Sequence, residues 1–162
     1  MSLKVGDKAP NFTLTASDKS QVSLDDYKGK NVVLLFFPFA FSGVCTTELC
    51  SMRDDIGSYE NLDAQVLAIS VDSFHTLNKF KEVEQYNFPL LSDFNKMVST
   101  AYGALYEEFV FGMKGVSKRS AFVIDREGVI RYAEVLESAG NVPNFMAVKE
   151  TLASLTKLKN KV

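Results

Sequence analysis

Two cysteines are the side chains in this sequence with the clearest capacity for chemistry. They lie in Cys45-Thr-Thr-Glu-Leu-Cys50, a C-x4-C spacing. The thiolate is the nucleophilic form of cysteine, and it is stabilised in the first turn of a helix, where unpaired N–H groups and the helix dipole favour an anion. An apolar run, Val32–Phe37, and the loop Pro38-Phe-Ala-Phe-Ser-Gly-Val44 precede Cys45. This order predicts a buried strand, a loop, and a helix whose first turn contains Cys45.

Cys45 also lies on an apolar stripe of the predicted helix, and the stripe alone favours an unreactive core residue. The stripe consists of Cys45, Leu49, Met52 and Ile56. The preceding loop favours the reactive interpretation. Pro38 cannot extend a strand ladder, Ser42 can turn a hydroxyl toward an atom three residues on, and Gly43 leaves space beside the helix start. Together they indicate a small polar pocket around the sulfur.

The rest of the sequence predicts the sheet that must hold this helix. Three apolar runs are typical of strands buried on both faces, as in a parallel sheet covered by helices. They are Val32–Phe37, Val66–Val71 and Ala121–Ile124. A fourth segment, Val129–Val135, follows the turn Asp125–Gly128, so the last two strands should form an antiparallel hairpin.

Amphipathic segments predict helices that begin near Cys45, Phe74 and Phe145. The resulting order, βαβαββα, is that of a thioredoxin-like fold, an α/β class with a mixed β-sheet flanked by helices. Two further segments, Phe12–Leu14 and Val22–Leu24, predict an N-terminal β extension of this fold.

The composition argues against several classes of function. We expect residues 1–162 to form one domain, because a chain of this length can bury a sufficient core without disulfides or a structural metal. A net charge of −2 provides no basic surface for nucleic acid or for a membrane. The N-terminus lacks a signal peptide pattern and two cysteines make no disulfide framework, so we expect a cytoplasmic protein with reduced thiols. No zinc spacing or phosphate-binding glycine loop is present, so we expect no cofactor.

Several motifs together resemble those of the peroxiredoxin family. Its active-site motif is Pro-x-x-x-Ser/Thr-x-x-Cys, and Pro38, Ser42 and Cys45 match it position for position. Arg119-Ser-Ala-Phe-Val-Ile-Asp125 is similar to the family's Arg-x-x-Phe-x-Ile-Asp strand, and Val5-Gly-Asp-Lys-Ala-Pro-Asn-Phe12 is typical of its N-terminus. Within the family, the sequence PFAFSGVC is most similar to the alkyl hydroperoxide reductase E-like subgroup.

The resemblance implies a thiol peroxidase in which Cys45 is the peroxidatic nucleophile. Its thiolate would attack a hydroperoxide and become a sulfenic acid. Arg119 would bind both the thiolate and the peroxide, although charge pattern alone would place this arginine on the surface. The resemblance assigns supporting roles to Ser42, Gly43 and Val44 at the peroxide, to Pro38 as a shield of the sulfur, and to Glu48 as a support of the arginine.

Cys50 departs from the E-like subgroup, and its C-x4-C spacing resembles peroxiredoxin Q, in which the second cysteine resolves the sulfenic acid. Residues five apart in a helix have Cα atoms about 8.6 Å apart, whereas a disulfide tolerates less than about 7 Å. A Cys45–Cys50 bridge therefore requires local unfolding of the helix. The alternative is a one-cysteine cycle, in which an outside thiol reduces Cys45 and Cys50 is idle on the surface.

The resemblance also implies partners. They are a hydroperoxide substrate, a thioredoxin-like, glutaredoxin-like or low-molecular-weight thiol reductant, and a second copy of the chain in a homodimer. Two other functions suit a reactive cysteine: a dithiol–disulfide oxidoreductase, for which the C-x-x-C motif is missing, and a redox sensor that signals through oxidised Cys45. The apolar segment Phe109–Met113 is either a loop folded on the core, or a rim of the active site or a dimer surface.

Overall fold

The computed structural model describes residues 3–160, with side chains described through residue 156. Within this range a seven-stranded sheet has the order β2-β1-β5-β4-β3-β6-β7. The strands are β1 (Thr13–Ala16), β2 (Gln21–Ser23), β3 (Asn31–Phe36), β4 (Ala64–Ser70), β5 (Leu90–Ser92), β6 (Ser120–Ile124) and β7 (Ile130–Val135).

Helices connect the strands and cover the sheet. They are α1 (Gly43–Asp54), α2 (Ile56–Asn61), α3 (Phe74–Glu84), α4 (Met97–Ala101) and α5 (Phe145–Asn160), with 3₁₀ turns at Leu24–Tyr27 and Val110–Gly112. Among the described residues, none of the helices has both the length and the apolar character required to span a bilayer.

β3 lies at the centre of the fold and every one of its residues is buried. Val33 and Leu35 pack on the face that carries the buried side chains of α1, α3 and α5. Val32, Leu34 and Phe36 pack on the opposite face, against the N-terminal segment and α4. A strand with apolar contacts on both faces requires the continuous apolar run seen in the sequence, because successive side chains point to opposite faces.

The sheet is mixed, as predicted. β3 pairs in parallel with β4 and antiparallel with β6, and β6 and β7 form the predicted antiparallel hairpin. β1 and β2 form the N-terminal β extension and join the main sheet because β1 pairs with β5. The predicted thioredoxin-like α/β class with a mixed sheet flanked by helices is confirmed.

The structure differs from the prediction in its short elements. The prediction omitted β5, α2 and α4, because elements of three to six residues are too short to show a clear periodicity. The stripe that begins at Cys45 is not one continuous helix. α1 ends at Asp54 and the chain turns at Asp55, so Ile56 belongs to α2.

The pairing of β3 with β6 places Arg119 beside the loop that leads to α1. The antiparallel register between β3 and β6 places Phe36 opposite Ser120. Arg119 immediately precedes Ser120 and therefore lies at the carboxyl end of β3, where the loop to α1 begins. Ligand sites of α/β sheets favour this edge.

Candidate active site

Cys45 is fully buried at the third position of α1. The first hydrogen bond within the helix joins the N–H of Thr46 to the carbonyl of Ser42 at 3.0 Å. The N–H groups of Gly43, Val44 and Cys45 precede it and have no acceptor within the helix. The first turn therefore presents positively polarised groups beside the sulfur.

Ser42, the residue before α1, does not cap the helix with its side chain. Its hydroxyl instead donates to the carbonyl of Phe39 at 2.9 Å, within the loop. Since a hydroxyl has one proton and two lone pairs, Ser42 is left as a hydrogen-bond acceptor toward any group that enters the loop. The first-turn N–H groups of α1 remain available to an anion.

Arg119 is the group that faces the sulfur. Its Nη2 donates to Sγ of Cys45 at 3.2 Å, although the two residues are remote in sequence. The arginine is only 1% exposed, so the surface position that the charge pattern suggested is wrong. Burial opposes its charge, but Glu48 and Cys45 together raise the pKa of Arg119, which keeps the guanidinium protonated.

Glu48 holds the guanidinium from the other side. Its Oε1 accepts from Nη1 of Arg119 at 2.7 Å, and both side chains are buried. Burial raises the pKa of Glu48 to about 7, even though Arg119 opposes that change. Oε2 of Glu48 has no hydrogen-bond partner among the described residues. Burial therefore favours a proton on Glu48, whereas the guanidinium of Arg119 favours the carboxylate.

A main-chain carbonyl completes the hydrogen bonds of the arginine. The carbonyl of Ala139 accepts from Nη2 of Arg119 at 3.0 Å and from Nε at 3.3 Å. The segment after β7 is thereby tied to the site. The sequence did not indicate Ala139, because no residue type signals a main-chain acceptor.

The AhpC/TSA family model matches residues 5–133 of the chain. Alkyl hydroperoxide reductase E of Mycobacterium bovis is 42% identical over 157 residues, which cover 95% of this chain and 99% of that protein. The chain belongs to the AhpC/TSA family, the peroxiredoxins. It is therefore a thiol-dependent peroxidase, an oxidoreductase, as the resemblance implied.

Solved structures of other peroxiredoxins have the same fold. A peroxiredoxin-like protein from Aquifex aeolicus is similar with a TM-score of 0.86 at 27% identity, over 96% of this chain and 89% of that one. Peroxiredoxin Q from Xanthomonas campestris is similar with a TM-score of 0.78 at 26% identity, over 88% of this chain and 90% of that one.

A second carboxylate positions the loop of this peroxiredoxin. Oδ2 of Asp72, just beyond β4, accepts from the N–H of Ala40 at 2.8 Å and from the hydroxyl of Ser70 at 2.7 Å. The carbonyl of Asp72 accepts from the hydroxyl of Ser92 at 2.6 Å. Asp72 was not among the predicted site residues. Its place after a buried strand was a signal that could have indicated it, since the carboxyl ends of neighbouring parallel strands meet at one edge of the sheet.

Aromatic side chains form the rim of the loop. The ring of Phe39 lies 6.2 Å from that of Phe109, and the ring of Phe41 lies 4.9 Å from that of Phe80. Pro38 is buried and Val44 is half-buried. The segment 109–113 is not folded on the core, because Phe111 is 98% exposed. Its first residue, Phe109, contacts the rim.

Cys50 lies apart from the arginine. Its Sγ is 3.3 Å from Oε2 of Glu84 and 3.7 Å from the hydroxyl of Tyr86. Both cysteines are free thiols within the continuous helix α1. A bridge between Cys45 and Cys50 therefore requires α1 to unfold locally, as helix geometry predicted.

No metal centre accompanies the site in the part of the chain that the structure describes, where no group of three or more Cys, His, Asp or Glu side chains is arranged to hold an ion. Two surface grooves of about 650 and 1050 Å³ are lined by none of the candidate site residues.

Proposed function

We propose that this peroxiredoxin reduces hydrogen peroxide and organic hydroperoxides through a sulfenic acid at Cys45. The observation that carries the proposal is the 3.2 Å contact between Nη2 of Arg119 and Sγ of Cys45 in a buried site. A guanidinium remains charged in such a site and offers several donors in a fixed geometry. One group can therefore stabilise the thiolate and also bind the peroxide.

Ionisation of the thiol is not sufficient for catalysis. A free thiol is already about 3% ionised at pH 7, so full ionisation accelerates its reactions only about 30-fold. The sulfur of Cys45 attacks the terminal oxygen of the hydroperoxide. As the S–O bond forms, the O–O bond breaks and its electron pair leaves with the other oxygen, which takes up a proton to become water or an alcohol. Arg119 and the first-turn N–H groups of α1 oppose the negative charge that develops on this oxygen.

The loop residues bind and orient the peroxide. Ser42 faces the pocket as an acceptor because its proton is donated to the carbonyl of Phe39. It can accept the O–H of the hydroperoxide, while the N–H groups of Gly43 and Val44 donate to the peroxide oxygens. Reacting atoms held in this way meet with the orientation that the displacement requires.

The remaining residues protect and support this arrangement. Pro38 is buried beside the site and excludes water from the sulfur. Glu48 and the carbonyl of Ala139 hold Arg119 in one orientation by three hydrogen bonds. A pre-positioned guanidinium loses little entropy when the peroxide arrives.

Stopped-flow oxidation by hydrogen peroxide tests the role of the guanidinium. We expect Arg119→Met to slow the oxidation of Cys45 by about 100-fold to 1000-fold, as for the loss of a donor to a developing oxyanion. Arg131→Met is the matched control, because Arg131 is exposed on β7 and pairs with Asp125. An unchanged rate in Arg119→Met would show that the electrostatic part of the mechanism is wrong.

We propose that Cys50 then resolves the sulfenic acid of Cys45 as an intramolecular disulfide, which a thioredoxin-like, glutaredoxin-like or low-molecular-weight thiol reduces. The C-x4-C spacing and the free, half-buried thiol of Cys50 support this step. The alternative is direct reduction of the sulfenic acid by an outside thiol. Mass spectrometry after one equivalent of peroxide decides between them: a bridge lowers the mass by two hydrogens, whereas a lasting oxygen adduct refutes it. Cys50→Ser is the control.

We also propose that the exposed apolar segment after Phe109 contributes to a homodimer. Val110 is 54% exposed and Phe111 is 98% exposed, which is costly in water unless the surface is covered. Gel filtration of Phe111→Glu tests this: we expect a smaller particle than the wild-type protein, and an unchanged elution volume would contradict the proposal.

A further inference from the structure

Cys50 lies in a cluster of titratable side chains that the reaction of Cys45 with peroxide does not use. Its Sγ contacts Oε2 of Glu84, the last residue of α3, and the hydroxyl of Tyr86. The same hydroxyl donates to the carbonyl of Thr46 at 3.4 Å. The cluster therefore spans the part of α1 that separates Cys50 from Cys45.

The contact with Glu84 defines the protonation state of the sulfur. A carboxylate can only accept, so the thiol of Cys50 must donate its proton to Oε2. Burial raises the pKa of this thiol, and the hydrogen bond and negative charge of Glu84 raise it further, whereas Tyr86 and Arg53 lower it. The charged and titratable groups that face Cys50 are thus Arg53 on its own helix, Glu84 on α3 and Tyr86 in the segment that follows.

Glu84 is itself held in place. Nη1 of Arg53 donates to the main-chain carbonyl of Glu84. A side chain of α1 thus forms a hydrogen bond to the last residue of α3. The chain leaves α3 through Gln85 in a left-handed conformation, with φ at 55°. The carboxylate of Glu84 also lies at the C-terminal end of its helix, where the helix dipole does not favour an anion. A donor such as the thiol of Cys50 offsets that disadvantage.

We propose that Glu84 holds Cys50 as a protonated thiol away from Cys45, and that release of Cys50 from Glu84 limits the rate at which the disulfide forms. This inference rests on the resolving role proposed above for Cys50. In that step the sulfur of Cys50 attacks the sulfenic sulfur of Cys45. The S–S bond forms, the S–O bond breaks, and the leaving hydroxide takes the thiol proton to become water. Cys50 is oxidised and the sulfenic sulfur is reduced.

The contact between Glu84 and Cys50 lengthens the lifetime of the sulfenic acid at Cys45, because it delays formation of the disulfide. Resolution requires two events, the separation of Cys50 from Glu84 and the local unfolding of α1. Until both have occurred, the sulfenic acid is open to an outside thiol. Glu84 thereby sets the balance between the internal bridge and reduction by an external partner.

The variant Glu84→Gln removes the charge and keeps a side chain of the same shape. We expect it to form the Cys45–Cys50 bridge about threefold to tenfold faster than the wild-type protein, because the amide oxygen of Gln still accepts from the thiol but forms a weaker hydrogen bond than the carboxylate. The time course is followed by acid quench and mass spectrometry after one equivalent of hydrogen peroxide. Glu82→Gln is the matched control, because Glu82 is exposed on the same helix and pairs with Lys79.

A second measurement separates a direct effect of Glu84 from a loosened helix. In a Cys45→Ser background, alkylation of Cys50 by iodoacetamide is measured against pH. We expect Glu84→Gln to move the midpoint to lower pH while the limiting alkylation rate at high pH stays near the wild-type value, and Glu82→Gln to change neither quantity. A loosened helix would also raise the limiting rate, because it exposes the sulfur to the reagent. A wild-type bridging rate with an unmoved midpoint would overturn the inference while the bridge itself stood. Absence of the bridge from every variant would overturn both the resolving role and this inference.

Discussion

The two cysteines of α1 occupy opposite surroundings within one helix. Cys45 is fully buried in the first turn and faces the guanidinium of Arg119 at 3.2 Å. Cys50 is half-buried further along the helix and faces the carboxylate of Glu84 at 3.3 Å. A cation and a helix N-terminus favour the thiolate, whereas a carboxylate acceptor requires the thiol.

The difference shows that tertiary contacts, and not the helix alone, determine the surroundings of the two sulfurs. Arg119 lies immediately before β6 and Glu84 is the last residue of α3, so each sulfur is paired with a different part of the fold. In the proposed mechanism, the sulfur of Cys45 attacks a peroxide from the folded helix. The sulfur of Cys50 reacts only after it has separated from Glu84 and α1 has unfolded locally.

Replacing Asp72 by alanine should slow the reaction of Cys45 with peroxide and leave the reactivity of Cys50 unchanged. The loop would lose the carboxylate that accepts from the N–H of Ala40. We expect stopped-flow oxidation of Cys45 by peroxide to slow about tenfold, because a small misplacement of reacting groups is costly. Alkylation of Cys50 should keep its rate. Asp18→Ala, in the turn between β1 and β2, is the control; equal rates in both variants would refute the role of Asp72.

Removal of the Ser42 hydroxyl tests a smaller contribution to the reaction of Cys45, the hydrogen bond between this hydroxyl and the peroxide. We expect Ser42→Ala to slow oxidation of Cys45 about fivefold, the effect of one neutral hydrogen bond, because the variant cannot accept the peroxide O–H. Ser42→Thr keeps the hydroxyl and should retain most of the rate. Stopped-flow traces at several peroxide concentrations give both values. A similar loss in the two variants would mean that shape, rather than the hydroxyl, is what the site requires.

Glu48 is expected to affect stability more than rate. Its pKa is about 7 in the folded protein and 4.5 in its ordinary state, so the native state retains a proton that the unfolded chain has lost. The free energy of unfolding should therefore fall as the pH rises from about 5 through 7, and level off above that. Glu48→Gln should flatten this dependence, measured by urea denaturation at several pH values.

The control for this prediction is Glu60→Gln, which removes an exposed carboxylate of α2. It should keep the slope of the wild-type protein. If Glu48→Gln showed the wild-type slope as well, Glu48 would not hold a proton in the native state near neutral pH.

The sequence was most informative where long apolar runs and a dense motif coincide. Val32–Phe37 predicted a central strand because burial on both faces leaves no polar position in it. The motif around Pro38, Ser42 and Cys45 predicted the loop and the nucleophile, and a second motif predicted that Arg119 faces the sulfur. The structure brings Arg119 and Cys45 together.

The contacts that the sequence did not predict depend on tertiary structure. Asp72 accepts from the main-chain N–H of Ala40, and the main-chain carbonyl of Ala139 accepts from Arg119. In each contact one partner is a main-chain group, which any residue type could supply at that position. The pairing of Cys50 with Glu84 joins two helices and depends on how α1 and α3 pack. β5 was missed because three residues carry no usable periodicity.

The most direct test of the account compares two proteins that each keep one sulfur. In Cys50→Ser only Cys45 remains, and in Cys45→Ser only Cys50 remains. We predict that hydrogen peroxide oxidises the first protein at least about 1000-fold faster than the second at pH 7, measured by stopped flow, because only Cys45 faces Arg119 and the helix N-terminus. Rates within tenfold of each other would contradict the claim that one helix holds two sulfurs in opposite states.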